Sequence, residues 1–411
     1  VRTRGGGRTA APSASRRRAL TAAAGRTVVA VLPVFVVVSC VGGVDGAGPR
    51  GEDRPPASPG ETSAGVPGER RSGIATVVDG EPDVPYVVGR RLHNAPVGSA
   101  VQRLAGRVHA PFAGTLSPAA VLDPSSTKML AYNSWRNARP VVRVRDLDSG
   151  DESLVDQGAF SIAWSEDGAL AYFKGLRRRV RNPETYRGDV VVRAPGAKRP
   201  VRWTKKPGRY VVAAWARGRL VVHRRRGLFT DVVVFSGPRR SRIVAKGAAL
   251  VALSPDGSRA FVADRADPAP VVRVIELRGG SEVARLSLAN ERDPTTDRPP
   301  SYVAYSGSWT RDVVVAAVGG GIGVFRIEER SIELDQLLGL NPDFFPVGVD
   351  EPQGDASGRY VVASVELAPA PGAAVGRRAL IECDLVLLAC ELGSEAPYVQ
   401  PPRLVYNPSR P

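Results

Sequence analysis

At 411 residues with 43% hydrophobic content, 24% charge and a formal net charge of +16, the chain has the apolar material for a substantial core. Its length is enough for two or three domains. No stretch with a period near 3.6 stands out, which excludes a solenoid of helical repeats.

Residues 1–26 carry seven Arg and no acid among Ala, Gly, Ser and Thr, the composition of the n-region of an export signal. The apolar run 28–38 (VVAVLPVFVVV) is 11 residues long, right for a signal h-region and short of the roughly 20 that span a bilayer. Extended to Val44 it reaches 17 residues, so an uncleaved transmembrane anchor is the alternative. Residues 15–20 (SRRRAL) resemble a twin-arginine motif without its aromatic and lysine. Val37-Val38-Ser39-Cys40 resembles the lipobox of bacterial lipoproteins. That resemblance implies that Cys40 is acylated through its thiol and heads the mature chain on the outer face of the cell membrane. A cysteine that merely ends the h-region is the other reading.

Residues 40–81 are dense in Gly, Pro, Ser and charge and nearly free of large apolar residues. Such a segment cannot bury enough surface to fold, so it reads as a disordered tether. The expected organisation is therefore an export signal at 1–39, a tether at 40–81 and one folded domain at 82–411.

Strands are expected from about Pro82, at 84–89 (VPYVVG), 99–106 (SAVQRLAG) and 107–111 (RVHAP). The clearest unit follows at 160–173, FSIAWSEDGALAYF, where two apolar arms flank a Ser-Glu-Asp-Gly turn. Gly168 supplies the positive φ that such a turn needs. Looser copies place Thr127, Gly168, Gly218, Gly257, Asp312 and Gly358 at equivalent positions, with spacings of 41, 50, 39, 55 and 46 residues. A period near 45 with four short strands in each is what a propeller blade requires. Outer hairpins with polar turns are expected at 140–155, 189–203, 270–288 and 321–338.

The SxDGxxxA turn after a Trp or Leu, with an outer strand ending like RDLDSG, resembles the TolB-like and WD40-like propeller repeats of exported bacterial proteins. The resemblance covers roughly residues 118–393, and only 165–168 and 254–257 keep the full turn. It implies an all-β fold, a single β-propeller, and says almost nothing about activity. Six fuller units are visible. The C-terminal 401–406 (PPRLVY) and the N-terminal strands are expected to build a seventh blade together, with six blades as the alternative.

Cys383 and Cys390 lie seven apart on the arms of the last outer hairpin. In an oxidising compartment a disulfide is the natural pairing, contributing roughly 2.5 kcal/mol in the chain-entropy model. No metal or other cofactor is expected.

Between Lys174 and Lys246 stand 22 basic residues against Glu184, Asp189 and Asp231, a local +19. Removing 1–39 takes the net charge from +16 to +9, so the rest of the mature chain carries −10. The expected basic patch comprises Arg177, Arg178, Arg179, Arg224, Arg225, Arg226, Arg239 and Arg240, all placed in loops. Such a field attracts an anionic partner. Outside the cytoplasm that means a lipid surface or an anionic cell-wall polymer, and not nucleic acid. Solvated arginines supplied by composition alone are the plain alternative.

No GxSxG elbow and no GxxxxGK[ST] loop is present. His93, His109 and His223 fall in different units without an acid at suggestive spacing. Asp146 to Asp151 (DLDSGD) has a superficial likeness to a calcium loop and reads better as a hairpin turn. Trp164, Trp215 and Trp309 take equivalent places before the turn and are expected in the core. A monomeric, non-catalytic, membrane-tethered propeller binding an envelope protein or polymer is the resulting expectation. An enzyme or small-ligand sensor with its site at the axial channel is the alternative.

Overall fold

The computed structural model describes residues 83–88, 91–96, 103–107, 120–123, 129–175 (without 138 and 147), 186–339 (without 228, 265–268 and 294–296), 346–354, 359–367, 377–396 and 399–400. Among them the chain forms seven four-stranded antiparallel sheets, the blades of a β-propeller. The first contains β1 (Asp83–Val88), β2 (Arg91–Pro96) and β3 (Arg103–Arg107). The second runs β4 (Ala120–Leu122), β5 (Met129–Arg136), β6 (Arg139–Asp146), β7 (Glu152–Gln157). The third runs β8 (Ala159–Trp164), β9 (Leu170–Lys174), β10 (Asp189–Arg193), β11 (Val201–Arg202). The fourth runs β12 (Tyr210–Ala216), β13 (Arg219–Arg226), β14 (Phe229–Gly237), β15 (Arg240–Ala245). The fifth runs β16 (Ala248–Leu253), β17 (Arg259–Asp264), β18 (Val271–Glu276), β19 (Glu282–Ser287). The sixth runs β20 (Val303–Thr310), β21 (Val313–Val318), β22 (Gly321–Ile327), β23 (Ile332–Gly339). The seventh runs β24 (Pro346–Gly354), β25 (Tyr360–Leu367), β26 (Arg377–Asp384), β27 (Ala389–Ala396).

The ring closes through β28 (Val399–Gln400), which pairs antiparallel with β1, Val88 opposite Val399 and Val87 opposite Gln400. Both chain ends therefore share one blade. The closing strand lies just before the expected 401–406, which fall outside the described residues. At the N-terminal end, β2 is an addition to the expected strands, because RLHNAP lacks the apolar alternation that marks a strand. Of the expected strand at 107–111, Arg107 ends β3 and 108–111 lie outside the described residues.

All six positions of the repeat fall between the first and second strands of a blade, and the four outer hairpins form at the expected places. The chemistry of the Ser-x-Asp-Gly turn explains its recurrence. The Ser254 hydroxyl donates to Asp256 Oδ1 at 2.6 Å and accepts the Arg259 N–H at 2.8 Å, so one side chain closes the loop on both arms. Ser165 does the same, donating to Asp167 and accepting the Ala169 N–H at 2.7 Å. Gly257 takes φ +62°, and a Cβ there would lie 2.8 Å from Ala216 Cβ of the preceding blade. Gly257→Ala is therefore strained twice. We expect a loss of about 2–4 kcal/mol in urea unfolding, against about 1 kcal/mol for Gly196→Ala, which carries the strain of a positive φ alone because its Cβ would face open space.

Among the described residues burial decreases from inner to outer strands. β8 is buried at every residue, whereas β7 on the outer edge of the second blade has none fully buried. Successive first strands touch one another, β8 with β12, β12 with β16, β16 with β20 and β20 with β24, so they form the inner wall. That is why inner strands read as continuous apolar runs and outer ones as mixed. Trp164, Trp215 and Trp309 are buried as expected. The Trp164 Nε1–H donates to the Val121 carbonyl of the preceding blade at 3.1 Å, and Trp215 packs edge-on against Trp203 at 5.3 Å.

The inner strands carry β-bulges, at 160–162, 212–214 and 250–252 among others. Each bulge releases a backbone N–H from the ladder. Side chains of the preceding blade accept them: Ser161 Oγ takes the Val212 N–H at 3.0 Å, and His223 Nε2 takes the Leu250 N–H at 2.8 Å. Ser308 Oγ accepts the Gly354 N–H in the same manner. His223 is fully buried, so this histidine serves the seam between the fourth and fifth blades.

Candidate functional site

The +19 segment maps onto two adjacent blades, from the end of β9 to just beyond β15. The expected loop cluster at 223–227 is strand instead: β13 extends through Arg226. Its register places Arg224 opposite Asp231 and Arg226 opposite Phe229, and the period of two puts both guanidinium groups on one side. They converge on Asp231, whose side chain has no exposure. Arg224 Nη2 donates to Oδ2 at 2.9 Å, Arg226 Nε to Oδ2 at 2.6 Å, and Arg226 Nη2 to Oδ1 at 2.8 Å. Burial pushes the Asp231 carboxyl up, but hydrogen bonds from Arg226, Arg224 and the Gly247 N–H, with the Arg226 charge, outweigh it and hold the pKa at about 2.

A folded pKa below the ordinary 3.8 stabilises the fold fully above that value, and the contribution disappears as pH falls toward 2. The size is on the order of 2 kcal/mol. Accordingly, the stability gap between wild type and Asp231→Asn in urea titrations is expected to be largest above about pH 4 and to shrink as pH falls below it.

Arg239 and Arg240 sit exposed at the β14–β15 turn, Arg239 with φ 60°. β14 is nine residues long, and the two hairpins it joins lie at its opposite ends, about 25–30 Å apart. Arg224–Arg226 and Arg239–Arg240 are thus close in sequence and distant in space. Arg242 is pinned to the next blade, donating to the Leu277 carbonyl at 2.6 Å and to that of Arg278. Arg177, Arg178 and Arg179, between β9 and β10, lie outside the described residues, as do Cys40 and the whole of 1–82. Lys198 and Arg199, exposed in the β10–β11 turn, belong to the same basic surface. They were not singled out because two cations in GAKRP make no run.

Asp146 uses Oδ1 to accept the N–H groups of Asp148 and Ser149 at 2.8 and 3.0 Å, so the DLDSGD segment is a self-capped hairpin turn. Among the described residues no three His, Cys, Asp or Glu side chains gather closely enough to hold a metal ion.

Cys383 and Cys390 are joined by a disulfide between directly paired residues of β26 and β27, with Cα atoms 4.0 Å apart. Inside the loop the buried Asp384 accepts Arg359 Nη2 at 2.7 Å and the N–H groups of Val386 and Leu387 at 2.9 and 3.2 Å. The Arg359 hydrogen bonds hold this carboxyl below the usual range. The tip so fixed presents Val386, Leu387 and Leu388 to solvent, at 71%, 65% and 56% exposure.

No family model matches the chain, and among curated proteins no match was found. Among solved structures it is similar to TolB from Acinetobacter baumannii, with 12% identity over 78% of this chain and 67% of that one, TM-score 0.42. It is also similar to the β-propeller domain of the Trilobed protease from Pyrococcus furiosus, with 12% identity over 74% and 89% of the two chains, TM-score 0.48. A third is Pyrococcus horikoshii acylaminoacyl peptidase, with 12% identity over 72% of this chain and 47% of that one, TM-score 0.46. The propeller assignment rests on the seven sheets themselves, not on these likenesses.

Proposed function

We propose that this protein is a non-catalytic propeller held at the outer face of the cell membrane by acylated Cys40 and the 40–81 tether, where it binds a protein or anionic polymer of the cell envelope. The supporting observation is the concentration of cations on two neighbouring blades, where Asp189 and Asp231 are the described carboxylates of the segment and both are already engaged by arginine. The remaining cations produce a one-sided field, and such fields raise the encounter rate with oppositely charged partners. The rigid apolar tip at Val386–Leu388 offers a second kind of contact, suited to a protein surface.

Two measurements test the reading. Intact mass and cell fractionation, with and without Cys40→Ala, should show a diacylglyceryl-modified chain starting at Cys40, released from the membrane in the variant. Crosslinking in intact cells should then enrich a defined envelope component. An unmodified cytoplasmic protein would overturn the location, and crosslinking that enriches nothing would overturn the binding role.

A further inference from the structure

Between the second and third blades the packing changes character from the axis outward. Near the axis the seam is dry, with Val121, Ile162, Trp164 and Leu170 buried in one cluster. Farther out it opens into a cleft of about 520 Å³, whose lining includes Lys174, Arg193, Lys198, Arg199, Arg202 and Asp156. The strand period explains the concentration of charge. In the register of the third blade, Tyr172 and Arg202 both stand opposite Val191, and Lys174 stands opposite Asp189. Tyr172, Lys174, Val191, Arg193 and Arg202 therefore share one face, and it is the face turned to β7 of the second blade.

These cations are held in place by the protein. Asp156 on β7 accepts Lys174 Nζ at 2.7 Å and the buried Tyr172 hydroxyl at 3.0 Å. Burial, together with the neighbouring Asp156 charge and hydrogen bond, pushes that phenol far above its ordinary range, so it remains a neutral donor. Arg193 Nε donates to the Ala197 carbonyl at 2.9 Å, which fixes the guanidinium while both terminal nitrogens stay uncommitted to protein acceptors among the described residues. Arg202 is anchored by Nε on Asp189 Oδ1 at 2.9 Å and by Nη2 on the Lys205 carbonyl at 3.1 Å. Lys198 and Arg199 have no carboxylate partner among the described residues. Five cations against Asp156 and Asp189 leave three positive charges uncompensated.

We propose that this cleft is a binding site for a ligand carrying at least two closely spaced phosphate groups. The register sets Lys174, Arg202 and Arg193 at the levels of Asp189, Val191 and Arg193 on three strands about 4.8 Å apart, with Lys198 and Arg199 in the turn beyond. The cations are thus spread over the face rather than gathered around one point, which suits linked tetrahedral anions better than a single one. Preordered arginine forks provide charge-assisted donors at little further entropic cost. The inference rests on the reading that the partner is anionic, and it places recognition on residues outside the arginine runs of the sequence.

The test is calorimetric titration of the purified full chain with sodium tripolyphosphate at fixed ionic strength, without divalent cations. Wild type should bind saturably. The double variant Lys198→Glu/Arg199→Glu, on an exposed turn, should bind about tenfold or more weakly, as should Arg193→Gln. Arg278→Glu/Arg330→Glu, the same charge change on exposed turns of other blades, should stay within about threefold of wild type. Equal losses in both double variants would show a response to net charge alone and overturn the site, as would no binding by wild type. A wild type that captures an envelope component yet ignores tripolyphosphate would sink the cleft and leave the proposed function standing. Vesicles containing cardiolipin, whose head group links two phosphates through one glycerol, separate the sources. Binding to them that tripolyphosphate displaces assigns the site to a lipid head group, and absence of vesicle binding assigns it to a soluble phosphate ligand.

Discussion

Truncation after Ala396, which removes β28, is expected to lower the melting temperature by on the order of 10 °C or to prevent folding, whereas truncation after Gln400 is expected to have a much smaller effect. The asymmetry follows from closure. Without Val399 and Gln400 the inner edge of β1 loses its ladder partner. β28 also touches β25, β26 and β27, so its loss opens the seam between the first and seventh blades. A ring fastened at one blade loses cooperativity when that fastening goes, because the two blades on either side are no longer held together by it. The comparison is made by thermal melts of the two truncations beside the full chain. Equal destabilisation by both would place the essential closing contacts beyond Gln400.

Phe261→Ala is expected to cost about 3–5 kcal/mol, read from urea midpoints. Phe261 on β17 is fully buried between the fifth and sixth blades. Its ring lies 6.5 Å from Trp309, near-perpendicular, and 5.1 Å from Phe325. Alanine would leave a cavity bounded by rings that the rigid sheets prevent from collapsing together. Phe229→Ala provides the contrast: at 66% exposure it should change stability by no more than about 0.5 kcal/mol. A similar cost for both would mean that the inter-blade seam is not where the fold derives its stability.

The fold was largely legible because its signals are local. Alternation and a turn glycine act within about ten residues, so SEDG and SPDG identified inner hairpins that the structure confirms down to the Ser–Asp hydrogen bond. The Cys383–Cys390 pair was legible for the same reason, being cross-strand neighbours in one hairpin. β2 was not, since pairing with β1 and β3 overrides a sequence with weak strand character.

The candidate sites show where local signals stop. Arginine runs stood out in the sequence, yet Arg224 and Arg226 turned out to serve Asp231, and His223 the Leu250 N–H. The cleft cations count toward the +19 segment but do not stand out as a site, because Lys174, Arg193, Lys198, Arg199 and Arg202 are spread over 29 positions.

Sequence alone determined an all-β chain of repeated four-stranded units with a disulfide-closed last hairpin, because hydrophobic period, turn chemistry and hairpin spacing are properties of neighbouring residues. Tertiary structure decided that β28 and β1–β3 share one blade and bring the number to seven, which arginines are committed to a buried carboxylate, and which cations share one face at a seam between blades. Those outcomes depend on register and on which face of a strand meets the next blade, and a one-residue change in register would send every such side chain to the other face.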